Sequence, residues 1–152
     1  MTNAAKSDNV TIPGLLPVDV YLNMEKNGFK TSKDLGGEYG NSWKCTSTEA
    51  GLDYTVEIFS HGSSTVETVS ATARVIDVQS KNISATQQFI VYVSSLPYEG
   101  SDPIKVAKWI DTNFNIDKAS ITISKVKYTI YAPSKYVRML SIERETPTSG
   151  TE

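Results

Sequence analysis

From Ser42 to Val75 polar and apolar side chains largely take turns. A two-residue period means β-strands with one buried face and one wet face. Over residues 42–48, Trp43, Cys45 and Ser47 alternate with Ser42, Lys44 and Thr46. Over 53–60, Tyr54, Val56 and Ile58 alternate with Thr55, Glu57 and Phe59. A third run, 66–78, places Val69, Ala71, Ala73 and Val75 on one face. A slip of one residue would exchange the faces, so this pattern strongly constrains register. Ile76 breaks the alternation beside Val75 and marks a bulge or a strand end. Glu49-Ala50-Gly51-Leu52 reads as a short hairpin connection, and His61-Gly62-Ser63-Ser64 as a turn.

Helical signals flank this block. Pro17 suits the first position of a helix over 17–27, with Asp19 in its first turn, where a negative charge favours the helix dipole. Gly28 fits a left-handed stop there, and Phe29 folds back over the last turn. Ile83, Thr86, Phe89, Ile90, Val93 and Leu96 recur at helical spacing over 82–96. Asp102-Pro103 opens a third helix, which ends near Asn115 and carries Val106, Ala107, Ile110 and Phe114 on one side. The glycines of 34–41 mark a loop. The last third returns to strands over 120–124, 126–131 and 136–143, with turns near Ser124-Lys125 and Pro133-Ser134.

The expected fold is therefore α+β: an open antiparallel sheet of about six strands with three helices on one face, in the order α-β-β-β-α-α-β-β-β. Residues 12–145 form one domain, and 1–11 and 146–152 are flexible tails. At 152 residues with 39% apolar side chains the chain suits a single core. A net charge of −2 gives no electrostatic reason for a nucleic-acid partner. No apolar run reaches membrane-spanning length.

The run Ile12-Pro13-Gly14-Leu15-Leu16-Pro17-Val18-Asp19-Val20-Tyr21-Leu22-Asn23, with Gly28-Phe29 and Trp43-Lys44-Cys45, resembles small exported or lipid-anchored bacterial domains. The element layout is similar to the β-lactamase-inhibitor-protein and TATA-binding-protein-like folds. The resemblance implies export or envelope attachment and a binding role. It transfers no catalytic residue. No lipid-bearing cysteine stands near the N-terminus, so such an anchor would have been removed with a signal segment ahead of Thr2. An extracellular or cell-envelope location is expected, with a cytoplasmic one as the alternative.

Candidate chemistry is sparse. His61 is the only histidine and sits in a turn, where a solvated polar residue is ordinary. One histidine and one cysteine exclude a multi-histidine or multi-cysteine zinc site. Cys45 alternates with Trp43 on the inner face, the setting of a small buried hydrophobe rather than a nucleophile. Asp53, Glu57, Glu67 and Asp77 lie in or beside strands and read as solvated positions. No cofactor is implied. The outward face carries Lys44, Thr46, Thr55, Glu57, Phe59, Ser70, Thr72, Arg74, Lys127, Thr129 and Tyr131, joined by Arg138. Its candidate binding residues are Phe59, Arg74, Lys127, Tyr131 and Arg138, since aromatic and arginine side chains dominate binding hot spots. The expected function is a non-enzymatic exported or envelope domain that binds a protein or envelope component through this face. The alternatives are a homo-oligomeric structural subunit and a small hydrolase-like enzyme built near His61.

Overall fold

The computed structural model describes residues 10–38, 40–60, 65–77 and 83–145. Among these, seven strands form one antiparallel sheet, and three helices of ten residues or more pack on one side of it. In chain order they are α1 (Pro17–Lys26), β1 (Lys30–Gly37), β2 (Gly40–Glu49), β3 (Leu52–Ser60), β4 (Thr68–Val75), α2 (Ile83–Ser94), α3 (Pro103–Asn113), β5 (Lys118–Ile123), β6 (Val126–Ser134) and β7 (Val137–Arg144). The strand order is β1-β2-β3-β4-β7-β6-β5. Two meanders thus meet where β4 pairs with β7, which leaves β1 and β5 as the edges.

Both ends of α1 and the start of α3 follow from the sequence. The Asp19 carboxylate accepts the Leu16 N–H at 2.9 Å at the start of α1. At its end Phe29 N–H reaches Met24 C=O at 3.1 Å and Gly28 N–H reaches Glu25 C=O at 3.0 Å, with Gly28 at φ +88°. That pair of bonds is a Schellman stop, which the left-handed glycine permits. Asp102 Oδ1 accepts the Lys105 N–H at 3.1 Å and caps α3 ahead of Pro103.

The core lies between the helices and the sheet. Val56, Ile58, Val69, Ala71, Tyr128, Ile130, Leu140 and Ile142 on the sheet's inner face share it with Val20, Met24, Ile90, Val93, Val106 and Ile110 of the helices. Its aromatic part stacks Tyr54 on Phe89 with centroids 4.5 Å apart, and Tyr21 on Trp43 at 6.1 Å. Tyr128 is fully buried, and its hydroxyl donates to Tyr98 Oη at 2.9 Å. Tyr98 in turn donates to the Ile123 carbonyl at 3.0 Å.

The structure departs from the sequence reading in several places, among them the expected Pro133-Ser134 turn, which lies within β6. The sheet has seven strands rather than six, because residues 30–37 pair with β2 where the glycines of 34–41 suggested only a loop. β1 shows no alternation: almost all of its residues are exposed, and backbone bonds to β2 hold it. The element order is consequently α-β-β-β-β-α-α-β-β-β. The strand expected over 66–78 spans only 68–75. Val66 is buried, but its backbone bonds Ile12 and Leu15 and so ties down the segment before α1. Ile76 lies just past the strand end and is 54% exposed. Thr11, placed by sequence in a tail, is buried. The rest of the expected tails, 1–9 and 146–152, and the His61 turn at 61–64 lie outside the described residues.

Candidate binding face on the open side of the sheet

All three helices cover one side of the sheet, so the other side carries no layer among the described residues. Strand register arranges that side in cross-strand rows. One row runs Ser42, Phe59, Thr68, Glu143, Lys127, Thr122. The next runs Lys44, Glu57, Ser70, Ser141, Thr129, Ser120, and a third runs Thr46, Thr55, Thr72, Met139, Tyr131, Lys118. A fourth holds Thr48, Asp53, Arg74 and Val137. Hydroxyl residues dominate and some bond each other, as Ser120 and Thr129 do at 3.1 Å. Lys44, Thr46, Thr55, Glu57, Phe59, Ser70, Thr72, Arg74, Lys127, Thr129 and Tyr131 all fall on this side, as their alternation requires.

The sequence-selected residues do not form one cluster. Phe59 and Lys127 share a row near one end of the strands, three strand spacings or about 14 Å apart. Arg74 lies six residues along from the Phe59 row, about 20 Å away. Tyr131 sits nearer Arg74, directly opposite Met139. Met139 is 37% exposed and also faces Thr72, while Val137 faces Arg74. The Lys118 ammonium lies 5.6 Å from the Tyr131 ring centroid. Tyr131, Met139 and Val137 therefore make an apolar patch flanked by two cations, Arg74 and Lys118. Met139 and Val137 were missed in the sequence because the run Val137-Arg138-Met139-Leu140 does not say which parity faces in.

Arg138 is a correction. It is 8% exposed and points to the helix side, between the inward Leu140 and the end of α3. Its Nε donates to Phe114 C=O at 2.8 Å, Nη1 to Ser134 C=O at 2.9 Å, and Nη2 to Asn115 Oδ1 at 2.8 Å. The guanidinium also lies 5.0 Å from the Phe114 ring centroid. Burial lowers its pKa. This arginine ties the exit of α3 to the β6–β7 hairpin and is not available on the outward face.

The other candidates are placed as follows. Cys45 is fully buried, its Sγ 3.4 Å from Thr31 Oγ1, and burial pushes its thiol pKa up, which suits a core residue and not a nucleophile. Asp53 accepts from Thr48 Oγ1 at 2.9 Å. Glu57 stands four residues further along the same face of β3, roughly 13 Å away, beyond the spacing at which two carboxylates share a glycoside. His61 and Ser63 lie outside the described residues. No group of three or more His, Cys, Asp or Glu among the described residues is placed to hold a metal ion. On the helix side a groove of about 680 Å³ runs between α2 and α3, lined by Gln87, Val91, Tyr92, Ile104 and Ala107 among others. Among the described residues no helix is long and apolar enough to cross a membrane. No family model, curated protein or solved structure matches the chain.

Proposed function

We propose that this domain is a non-enzymatic binding module of the cell envelope or extracellular space, which holds a protein or another envelope component against the bare face of its sheet. One observation carries the reading. On an otherwise hydroxyl-rich face, Tyr131, Met139 and Val137 form an apolar centre with Arg74 and Lys118 on either side. An apolar centre with a polar rim is the anatomy of a docking patch, and Tyr and Arg are the side chains most often found to carry its energy. The flanking threonines and serines offer hydroxyls that can donate to or accept from a partner's backbone.

The test is capture from envelope extracts of the source cells by the immobilised full chain. Tyr131→Ala and Arg74→Ala are each expected to lower recovery of the captured species about tenfold, the effect of losing about 1.4 kcal/mol. Phe59→Ala, at the far end of the face, is expected to change it little. Equal recovery by wild type and a Tyr131→Ala/Arg74→Ala double variant would dispose of this face as the binding surface. The hydrolase alternative is built on His61 and Ser63, which lie outside the described residues.

A further inference from the structure

The two edges of the sheet are built differently. β1 carries Lys30, Lys33 and Asp34, ends in two glycines, and its pairing with β2 shifts register between Asp34 and Gly37. Charges and bulges of that kind are how a free edge is kept from pairing with another chain. β5 lacks the bulge and the glycines and is nearly free of charge. Its sequence Lys-Ala-Ser-Ile-Thr-Ile has one charge, at its first residue, and pairs with β6 without a shift.

Hydrogen-bonding parity shows which backbone groups it leaves open. The two-residue turn Ser124-Lys125 makes Ile123 and Val126 a hydrogen-bonded pair, and the Ala132 N–H to Asp117 C=O bond at 3.0 Å continues the same alternation. Ala119, Ile121 and Ile123 therefore bond β6. Lys118, Ser120 and Thr122 turn their N–H and C=O groups away from the sheet, and among the described residues no strand receives them.

We propose that β5 is a self-association edge, pairing antiparallel with β5 of a second copy about a two-fold axis at Ser120. Same-face pairing requires residues of equal parity to meet. Centring on Ser120 sets Lys118 opposite Thr122 of the other copy and Ala119 opposite its Ile121, so no like charges oppose. The pairing adds about six backbone hydrogen bonds. It also continues the inner faces of both sheets across the seam. Ala119 and Ile121 are only partly buried and pack at the open end of the core. On α3, Ala107 lines the groove toward α2 and Asp111 accepts from Gln87 at 2.9 Å, which by helical spacing turns the half-buried Trp109 to the other side, above β5. The second copy covers all three. The closed two-fold arrangement is the common form of self-association.

Sedimentation velocity of the full chain over a concentration series is expected to show the mass rising toward twice the monomer. Ser120→Pro removes an N–H that β6 does not use, and is expected to raise the dissociation constant at least tenfold while circular dichroism and Tm report an intact fold. Ser120→Cys places two thiols directly across the axis, about 5.5 Å apart at Cα, and is expected to form a disulfide-linked dimer on mild oxidation, whereas Thr122→Cys is not. The buried Cys45 does not compete. A wild-type monomer at every concentration, or Thr122→Cys linking as readily as Ser120→Cys, overturns the proposal. The Ser120→Pro variant leaves the Tyr131 patch intact, so loss of envelope capture and loss of dimer are separable.

Discussion

Tyr98 and Tyr128 show how a single hydroxyl sets the value of its neighbour. Tyr128 is 1% exposed, and among the described residues its hydroxyl bonds Tyr98 Oη, which passes the bond on to the Ile123 carbonyl. Removing the two hydroxyls therefore has unequal consequences. Tyr128→Phe takes away a donor and leaves Tyr98 still bonded to Ile123, for about 1 kcal/mol. Tyr98→Phe strands a buried phenol and frees the Ile123 carbonyl, for about 2 to 3 kcal/mol. Urea unfolding of the two variants is expected to give this order, and the reverse order would mean that Tyr128 has another partner. Arg138 teaches the same lesson with a charge. Its side-chain type suggested a surface contact, yet a guanidinium can be buried when carbonyls satisfy its fork, as those of Phe114 and Ser134 do here.

Hairpins and caps carry the fold at the next scale. Ala50 and Gly51 at φ +53° and +79° make the β2–β3 turn, with glycine where it costs least. The β5–β6 turn uses Ser124 and Lys125 at φ +51° and +72°, a left-handed pair without glycine. Neighbours hold it there. The Lys125 carbonyl accepts from Glu145 N–H at 2.8 Å, and Gly100, at φ +84°, lies so close that a Cβ would come within 2.7 Å of Ser124 Cβ. Lys125→Gly is expected to stabilise the protein by about 1 kcal/mol, since the left-handed conformation costs a residue with a Cβ about that much. Asp102→Ala, which uncaps α3, is expected to cost about 1 kcal/mol. Chemical denaturation of both variants reads the two opposite signs, and a destabilising Lys125→Gly would show that its side chain makes a contact worth more than the backbone strain. β1 is the element that sequence could not reveal. It has no buried face, so no period is written into it, and it exists because β2 offers an unpaired edge.

At the scale of the whole molecule the buried acids couple stability to pH. Desolvation raises the pKa of Tyr54, Tyr98, Tyr128 and Cys45, and for Tyr128 the bond to Tyr98 adds to it. The unfolded chain loses these protons at ordinary values, near 8.5 for cysteine and about 10 for tyrosine, while the folded chain retains them. The unfolded state then binds fewer protons, so the stabilisation is complete below those values and is lost as pH rises through them. Stability measured by urea titration is expected to fall between about pH 8 and about pH 11, and the fall should be shallower in Tyr98→Phe/Tyr128→Phe. An equal slope in the double variant would assign the effect to other groups.

Local chemistry was enough to write most of the elements. The two-residue period gave the faces of β2, β3 and β4, and the Pro17, Gly28 and Asp102-Pro103 signals gave helix ends, because these depend only on neighbours in the chain. Outward positions from Lys44 to Tyr131 followed from the same alternation. Tertiary structure decided what alternation cannot express: that the last strand closes on β4, which sets Arg74 opposite Val137 and so next to the Tyr131–Met139 pair of the β6–β7 hairpin, while leaving Phe59 about 20 Å away. It also decided that Arg138 faces inward, since the parity of a run with apolar side chains on both faces, such as Val137-Arg138-Met139-Leu140, is fixed only by the strand it pairs with. The bare sheet face was thus legible as a surface in the sequence, but its patch and its open β5 edge exist only through strand pairing, because adjacency across a sheet is set by register between distant segments and not by any local preference.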